Sequence, residues 1–307
     1  MRNILVFFVL ILAGSCTKYE KIEDFPIEQP KLVANCLFSS MEPFKVDVSH
    51  SLSVLDNAEI KLVNGAGVIL IEDGKIIDTL LQSDEDQMYY SDFIPKAGKK
   101  YKLEVSHKDY ESIMTNEEML PPAISFSVLA FNPIDSLLFA YEEDTMIYSF
   151  NADVTFELSD ISGIGNIYSI QLFCLDSVYS GYLHNDEMEW QKQSNYVIEI
   201  NDPAVIENAD AGFTGRPRQT VFLSDALFDG QKRKFTFRMT EYSMAHTYRQ
   251  YFLHINSYTP SSFYYMRSLG EYSYGTSPFD EPSRIFTNIK NGYGIFSGLE
   301  QKEIRIR

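Results

Sequence analysis

The stretch Lys234-Phe235-Thr236-Phe237-Arg238-Met239 alternates polar and apolar side chains with a period of two. Successive side chains of a strand point to opposite faces, so only a β-strand gives such a run one wet face and one buried face. The same alternation recurs in Phe44-Lys45-Val46-Asp47-Val48 and in Ala58-Glu59-Ile60-Lys61-Leu62-Val63. Residues 32–38 form an apolar run, and 68–72, 75–81 and 101–105 also read as strands. Asn64-Gly65-Ala66-Gly67 and Asp73-Gly74 supply turns between them. Short strands punctuated in this way predict an immunoglobulin- or transthyretin-like β-sandwich over residues 31–121, with the pair Pro121-Pro122 as its exit.

Residues 123–307 continue in the same style, with strand patterns at 124–129, 153–158, 167–175, 194–200, 219–223 and 234–239. They predict a larger β-rich domain, sandwich or barrel-like, in a chain that is mainly β overall. One segment breaks the period. Met244, Tyr248, Tyr251, Phe252 and Ile255 recur at helical spacing, and Thr240 or Ser243 can cap the start. That spacing predicts one amphipathic helix near 241–256, with its aromatic stripe turned to the core.

The first thirty residues have a separate logic. Arg2 is a positive start, and residues 4–13 form an apolar run. The run is about half the length needed to span a bilayer and fits the core of a secretory signal. Ala13-Gly14-Ser15 then precede Cys16. This resembles the lipobox of bacterial lipoproteins, with Ala13 where leucine is usual and Leu12 one place earlier. The resemblance implies removal of signal residues 1–15 and lipidation of Cys16. Stable attachment needs two or more acyl chains, which such a cysteine carries. Residues 16–30 hold Lys18, Glu20, Lys21, Glu23, Asp24, Pro26 and Pro30 and read as a tether from the lipid to the folded part.

The formal net charge of -17 repels a polyanion, so nucleic acid is excluded as an expected partner. Cys36 and Cys174 both sit in apolar runs. Two separate buried thiols are expected in preference to a disulfide, because nothing in the sequence brings their strands together.

Signatures of chemistry are scarce. The five histidines form no HExxH frame, and His184 with Asp186 and Glu187 reads as a polar turn rather than a zinc site. There is no GxSxG elbow and no GxxxxGK[ST] loop. Ser83-Asp84-Glu85-Asp86-Gln87 lacks the ligand spacing of a calcium loop and reads as a solvated hairpin tip. No catalytic residue, metal or cofactor is therefore expected. Contact residues are another matter. Gly212-Phe213-Thr214-Gly215-Arg216-Pro217-Arg218 is a basic loop in an acidic chain, so Arg216 and Arg218 are candidate contacts for a partner or an anionic ligand. Trp190, Tyr264, Tyr265, Tyr272 and Tyr274 are candidate aromatic contacts, better suited to a protein interface than to a sugar platform.

The C-terminal run is the most specific. It contains Pro278-Phe279-Asp280-Glu281-Pro282, then Thr287-Asn288-Ile289-Lys290-Asn291-Gly292-Tyr293-Gly294-Ile295-Phe296-Ser297-Gly298. Asn291-Gly292 predicts a tight turn, and Gly294 and Gly298 allow close backbone approach. With the Ser-Cys lipobox, the N-terminal β-sandwich, the segment Ser224-Asp225-Ala226-Leu227-Phe228-Asp229-Gly230 and the expected helix near Tyr248 to Tyr251, this tail resembles a Bacteroidota family of outer-membrane lipoproteins known only as domain of unknown function 4249. The resemblance implies no catalytic residues. It implies a context, that of accessory lipoproteins beside TonB-dependent outer-membrane transporters.

The expected function is that of a non-enzymatic lipoprotein, lipid-anchored at the outer membrane and serving as an accessory or ligand-binding component of a TonB-dependent transporter. An independent glycan- or peptide-binding surface lipoprotein is the alternative. An extracytoplasmic hydrolase ranks last. Its sequence-adjacent carboxylate pairs, Asp186-Glu187 and Asp280-Glu281, would point apart on a strand.

Overall fold

The computed structural model describes residues 29–306 except 54–58, 143–144, 164, 180–187, 194–196, 207–219, 244–249 and 275–283. The signal, Cys16 and nearly all of the tether lie outside the described residues. The first body is built from β1 (Leu32–Phe38), β2 (Lys45–His50), β3 (Gly67–Glu72), β4 (Lys75–Gln82), β5 (Tyr89–Tyr90), β6 (Lys100–His107), β7 (Tyr110–Thr115) and β8 (Glu118–Met119). Alternation decides which face each strand buries. In β1, Leu32, Ala34, Cys36 and Phe38 point into the core while Leu37 is exposed. Asp73 and Gly74 both take positive φ, the conformation a two-residue hairpin between β3 and β4 requires. Residues 59–63 do not form the expected strand, and Ala58 lies outside the described residues. Only Leu62 makes an isolated bridge, to Ser49.

The second body contains β9 (Ser125–Glu142), β10 (Thr145–Ser159), β11 (Ile167–Tyr179), β12 (Met188–Gln193), β13 (Val197–Ile200), β14 (Thr220–Ser224), β15 (Lys232–Ser243) and β16 (Gln250–Tyr258). Helix α1 (Pro260–Tyr274), β17 (Ile289–Lys290) and β18 (Tyr293–Arg305) complete the chain. β13, β15, β10 and β9 form a four-stranded sheet. It packs on β11, β14 and β16 through a core that includes Val154, Phe156, Leu158, Ile170, Leu172, Phe235, Phe237, Leu253 and Ile255. Among the described residues the architecture is β-sandwich-like with one α-helix and no closed barrel.

That helix is not where helical spacing placed it. Residues 240–243 end β15, and 250–255 lie within β16, with 244–249 outside the described residues. β16 buries Tyr251, Leu253 and Ile255 on one face with Phe252 and His254 partly covered on the other. A strand apolar on both faces mimics a helical stripe over a short window. Pairing of β16 with β11 and β18 decides the outcome. The true helix starts at Thr259-Pro260. Thr259 Oγ1 accepts from the Ser262 N–H at 3.4 Å, and proline occupies the first helical position.

The tail is not confined to the second body either. The first half of β18 runs parallel to β1, with Val33 opposite Tyr293 and Phe38 opposite Gly298. The second half runs antiparallel to β16, with Tyr258 opposite Leu299 and Phe252 opposite Arg305. One strand therefore joins the strands of both bodies into a single 14-stranded sheet. Its Phe296 packs against Phe38 with ring centroids 4.7 Å apart, deep in the first core, while Ile304 packs on the second. Gly294 permits this, since a side chain there would strike the Ala34 backbone. Asn288 completes the seam. Its Nδ2 donates to Phe296 O at 2.7 Å, and its Oδ1 accepts from Phe296 N–H at 3.0 Å.

Candidate functional site

Helix α1 is pinned at its first turn and open beyond it. Ser262 Oγ stands 2.6 Å from Ser297 Oγ and donates to Gly298 O, tying the helix to β18. Ser261 Oγ donates to Glu118 Oε1 at 2.5 Å, and Asn288 Nδ2 donates to the same oxygen at 3.0 Å. The buried Glu118 carboxylate thus sits at the positive end of the helix dipole. Phe263 fills a small core with Phe222 and Tyr258.

Four apolar side chains of the helix face outward. Tyr264, Met266, Leu269 and Tyr272 are 40–58% exposed. At 100° per residue they cover about 200° of its circumference. The segment from residue 284 runs alongside, with Phe286 N–H donating to Ser268 Oγ, Phe286 packing on Tyr264, and Ile285 exposed. Isolated apolar side chains are normal on a surface, whereas a contiguous apolar patch marks an interaction site. Tyr265 is half-buried, and burial pushes its hydroxyl pKa up.

Of the aromatic residues singled out in the sequence, Tyr264, Tyr265, Tyr272 and Tyr274 share this one helix. Trp190 lies on β12, the edge strand of the large sheet, opposite Ser177. Arg216 and Arg218 lie outside the described residues, as do His184, Asp186, Glu187, Asp280 and Glu281. The 83–87 turn is a hairpin tip whose Asp86 is already engaged. The Tyr90 hydroxyl donates to it at 2.5 Å and Lys45 lies 3.4 Å away, which holds its carboxyl down to about 2. Cys36 and Cys174 are buried in different cores and form no disulfide. Burial pushes the Cys36 thiol far above its ordinary range.

One cluster was invisible in the sequence. Asp160, Asp225 and Asp229 each present a carboxylate oxygen within 4.8 Å of the others. Asp160 follows β10, while Asp225 and Asp229 lie between β14 and β15. Asp160 Oδ1 accepts from the Tyr168 hydroxyl at 2.5 Å and from Asn166 Nδ2 at 3.1 Å, and its Oδ2 accepts from Gly230 N–H at 2.8 Å. Asp225 Oδ2 accepts from Asn166 N–H at 2.5 Å, and Asp229 Oδ1 from Gly163 N–H at 2.7 Å. Burial pushes the Asp225 carboxyl up, and the charges of Asp160 and Asp229 act in the same direction. The only signal in the sequence was a pair of Asp- and Gly-rich turns, Asp160-Ile161-Ser162-Gly163 and Asp225 to Gly230, about 65 residues apart.

These features define a two-body, mainly β protein whose strand β18 threads both bodies and whose helix α1 carries an exposed aromatic face. Residues 18–305 match the family described as Domain of unknown function (DUF4249), and the chain belongs to that family. No curated protein matches the chain.

Proposed function

We propose that the protein is a non-enzymatic lipoprotein, anchored to the outer membrane through Cys16, that serves a TonB-dependent transporter as an accessory or ligand-binding component. The observation that carries this reading is the outer face of α1. Tyr264, Met266, Leu269 and Tyr272 stand exposed on an element held rigidly at one end by Glu118, Ser297 and Gly298. Large aromatic and aliphatic side chains on a rigid element are what an interface hot spot consists of. The signal pattern ending at Cys16 supports the anchor, and family membership supports the context.

The test is purification of the native protein from its own outer membrane in mild detergent, with co-purifying chains identified by mass spectrometry. A transporter in near-stoichiometric amount is expected, and the double variant Leu269→Ser, Tyr272→Ser should lose it while keeping the wild-type melting temperature. Recovery of the wild-type protein alone would overturn the transporter reading. It would favour an independent glycan- or peptide-binding role for the same aromatic face.

A further inference from the structure

The cluster of Asp160, Asp225 and Asp229 sits where the chain changes layers. The connection from β10 to β11 leaves the four-stranded sheet for the large one, and the connection from β14 to β15 returns. The two crossings interlock. Asp225 N–H donates to Asn166 O, and Asp160 N–H donates to Gln231 O. Gly230 lies so close to Ser162 that a Cβ there would stand 2.7 Å from the serine Cβ.

Three carboxylates meet at this point, two of them buried, and among the described residues none forms a salt bridge. A second observation is independent of the acids. Asn166 is 1% exposed and its Oδ1 accepts no hydrogen bond among the described residues. Its Nδ2 donates to Asp160 and its backbone N–H to Asp225, so the amide that carries the orphan oxygen adjoins the carboxylate group. A buried acceptor without a donor is costly, and a cation satisfies it.

We propose that Asp160, Asp225, Asp229 and the Asn166 side-chain oxygen bind one calcium ion that locks the two sheet crossings together. Oxygens that share a calcium ion at 2.3–2.6 Å lie at most about 5 Å apart, and the carboxylate oxygens, all within 4.8 Å of one another, meet that limit. The donors are all hard oxygens on the segments that connect strands, Asp225 at the start of a short 3-10 helix (Asp225–Leu227), with neither histidine nor cysteine among them, a set suited to calcium rather than zinc. Asp229 is exposed and provides the entry side.

The experiment is calorimetric titration of the full chain, in detergent, with calcium chloride after chelator treatment. Melting temperature is followed in parallel. One saturable site is expected, with melting raised by about 5 °C at calcium a hundredfold above Kd. Asp229→Asn keeps an acceptor for Gly163 N–H and lies at the surface, so it should fold, yet bind calcium at least 10-fold more weakly. Saturable binding that magnesium matches at equal concentration would overturn the calcium assignment. Absence of saturable binding, or wild-type affinity in Asp229→Asn, would overturn the site.

Discussion

Replacing Gly294 by alanine tests the claim that one strand unites the two bodies. Gly294 pairs with Ala34 in the parallel register and has φ of +108°. An added Cβ would collide with the Ala34 carbonyl oxygen and stand 2.8 Å from its carbon and 2.9 Å from Asn35 Oδ1. Relaxed contacts of this kind settle near about 3.5 Å, so β1 and β18 would have to part by roughly 1 Å. Ladder hydrogen bonds of ordinary length do not survive that separation. Two lost bonds cost about 1 kcal/mol each, and alanine at such a φ costs about 1–3 kcal/mol, so the loss is about 3–5 kcal/mol in all. That is a large share of a domain's total stability of roughly 5–15 kcal/mol. Gly98→Ala is the control. Gly98 also has positive φ, +76°, but no atom lies within 4 Å of the place a methyl group would take. It should lose only the backbone cost of about 1–2 kcal/mol. Urea unfolding followed by far-ultraviolet circular dichroism reads both. Equal losses for the two variants would refute the close approach of β18 to β1.

Removing residues 279–307 deletes β18 and Phe296, so both cores should lose stability, seen as melting lowered across the whole transition. An unchanged melting temperature would contradict the shared strand. Cys16→Ser should release the protein from membranes, and a variant that still pellets with the outer membrane after a salt wash would contradict lipid anchoring. In that same Cys16→Ser protein, the buried Cys36 and Cys174 should resist a thiol reagent until denaturant is added, and fast labelling of the native protein would show that the cores are open. The depressed carboxyl of Asp86 stabilises the fold above its unfolded value of about 3.9 and loses that contribution as pH falls toward about 2. Tyr90→Phe should therefore lower melting at pH 5 and match wild type near pH 2, and a difference that persists at the lowest pH would point to packing instead.

Much of the β architecture was legible locally. The runs at 32–38, 68–72, 75–81, 101–105 and 234–239 became strands because alternation needs only a window of a few residues to show which face is apolar. Strand β7 escaped notice because Tyr110-Glu111-Ser112-Ile113-Met114-Thr115 buries only Ile113 and Thr115 fully. The four tyrosines were recognisable as contact candidates, but their common helix was not, although Thr259-Pro260 signals its start.

The sequence alone determined what depends on neighbours along the chain: the β character, the hairpin at Asp73-Gly74 and the signal pattern ending at Cys16. Tertiary structure alone decided that residues 250–255 extend as a strand, because β11 and β18 supply its hydrogen bonds from about 80 and 50 residues away. It also decided that β18 belongs to both bodies and that Asp160 meets Asp225 and Asp229. Pairing partners and converging charges are set by the global packing of the layers, and no local window of sequence contains that information.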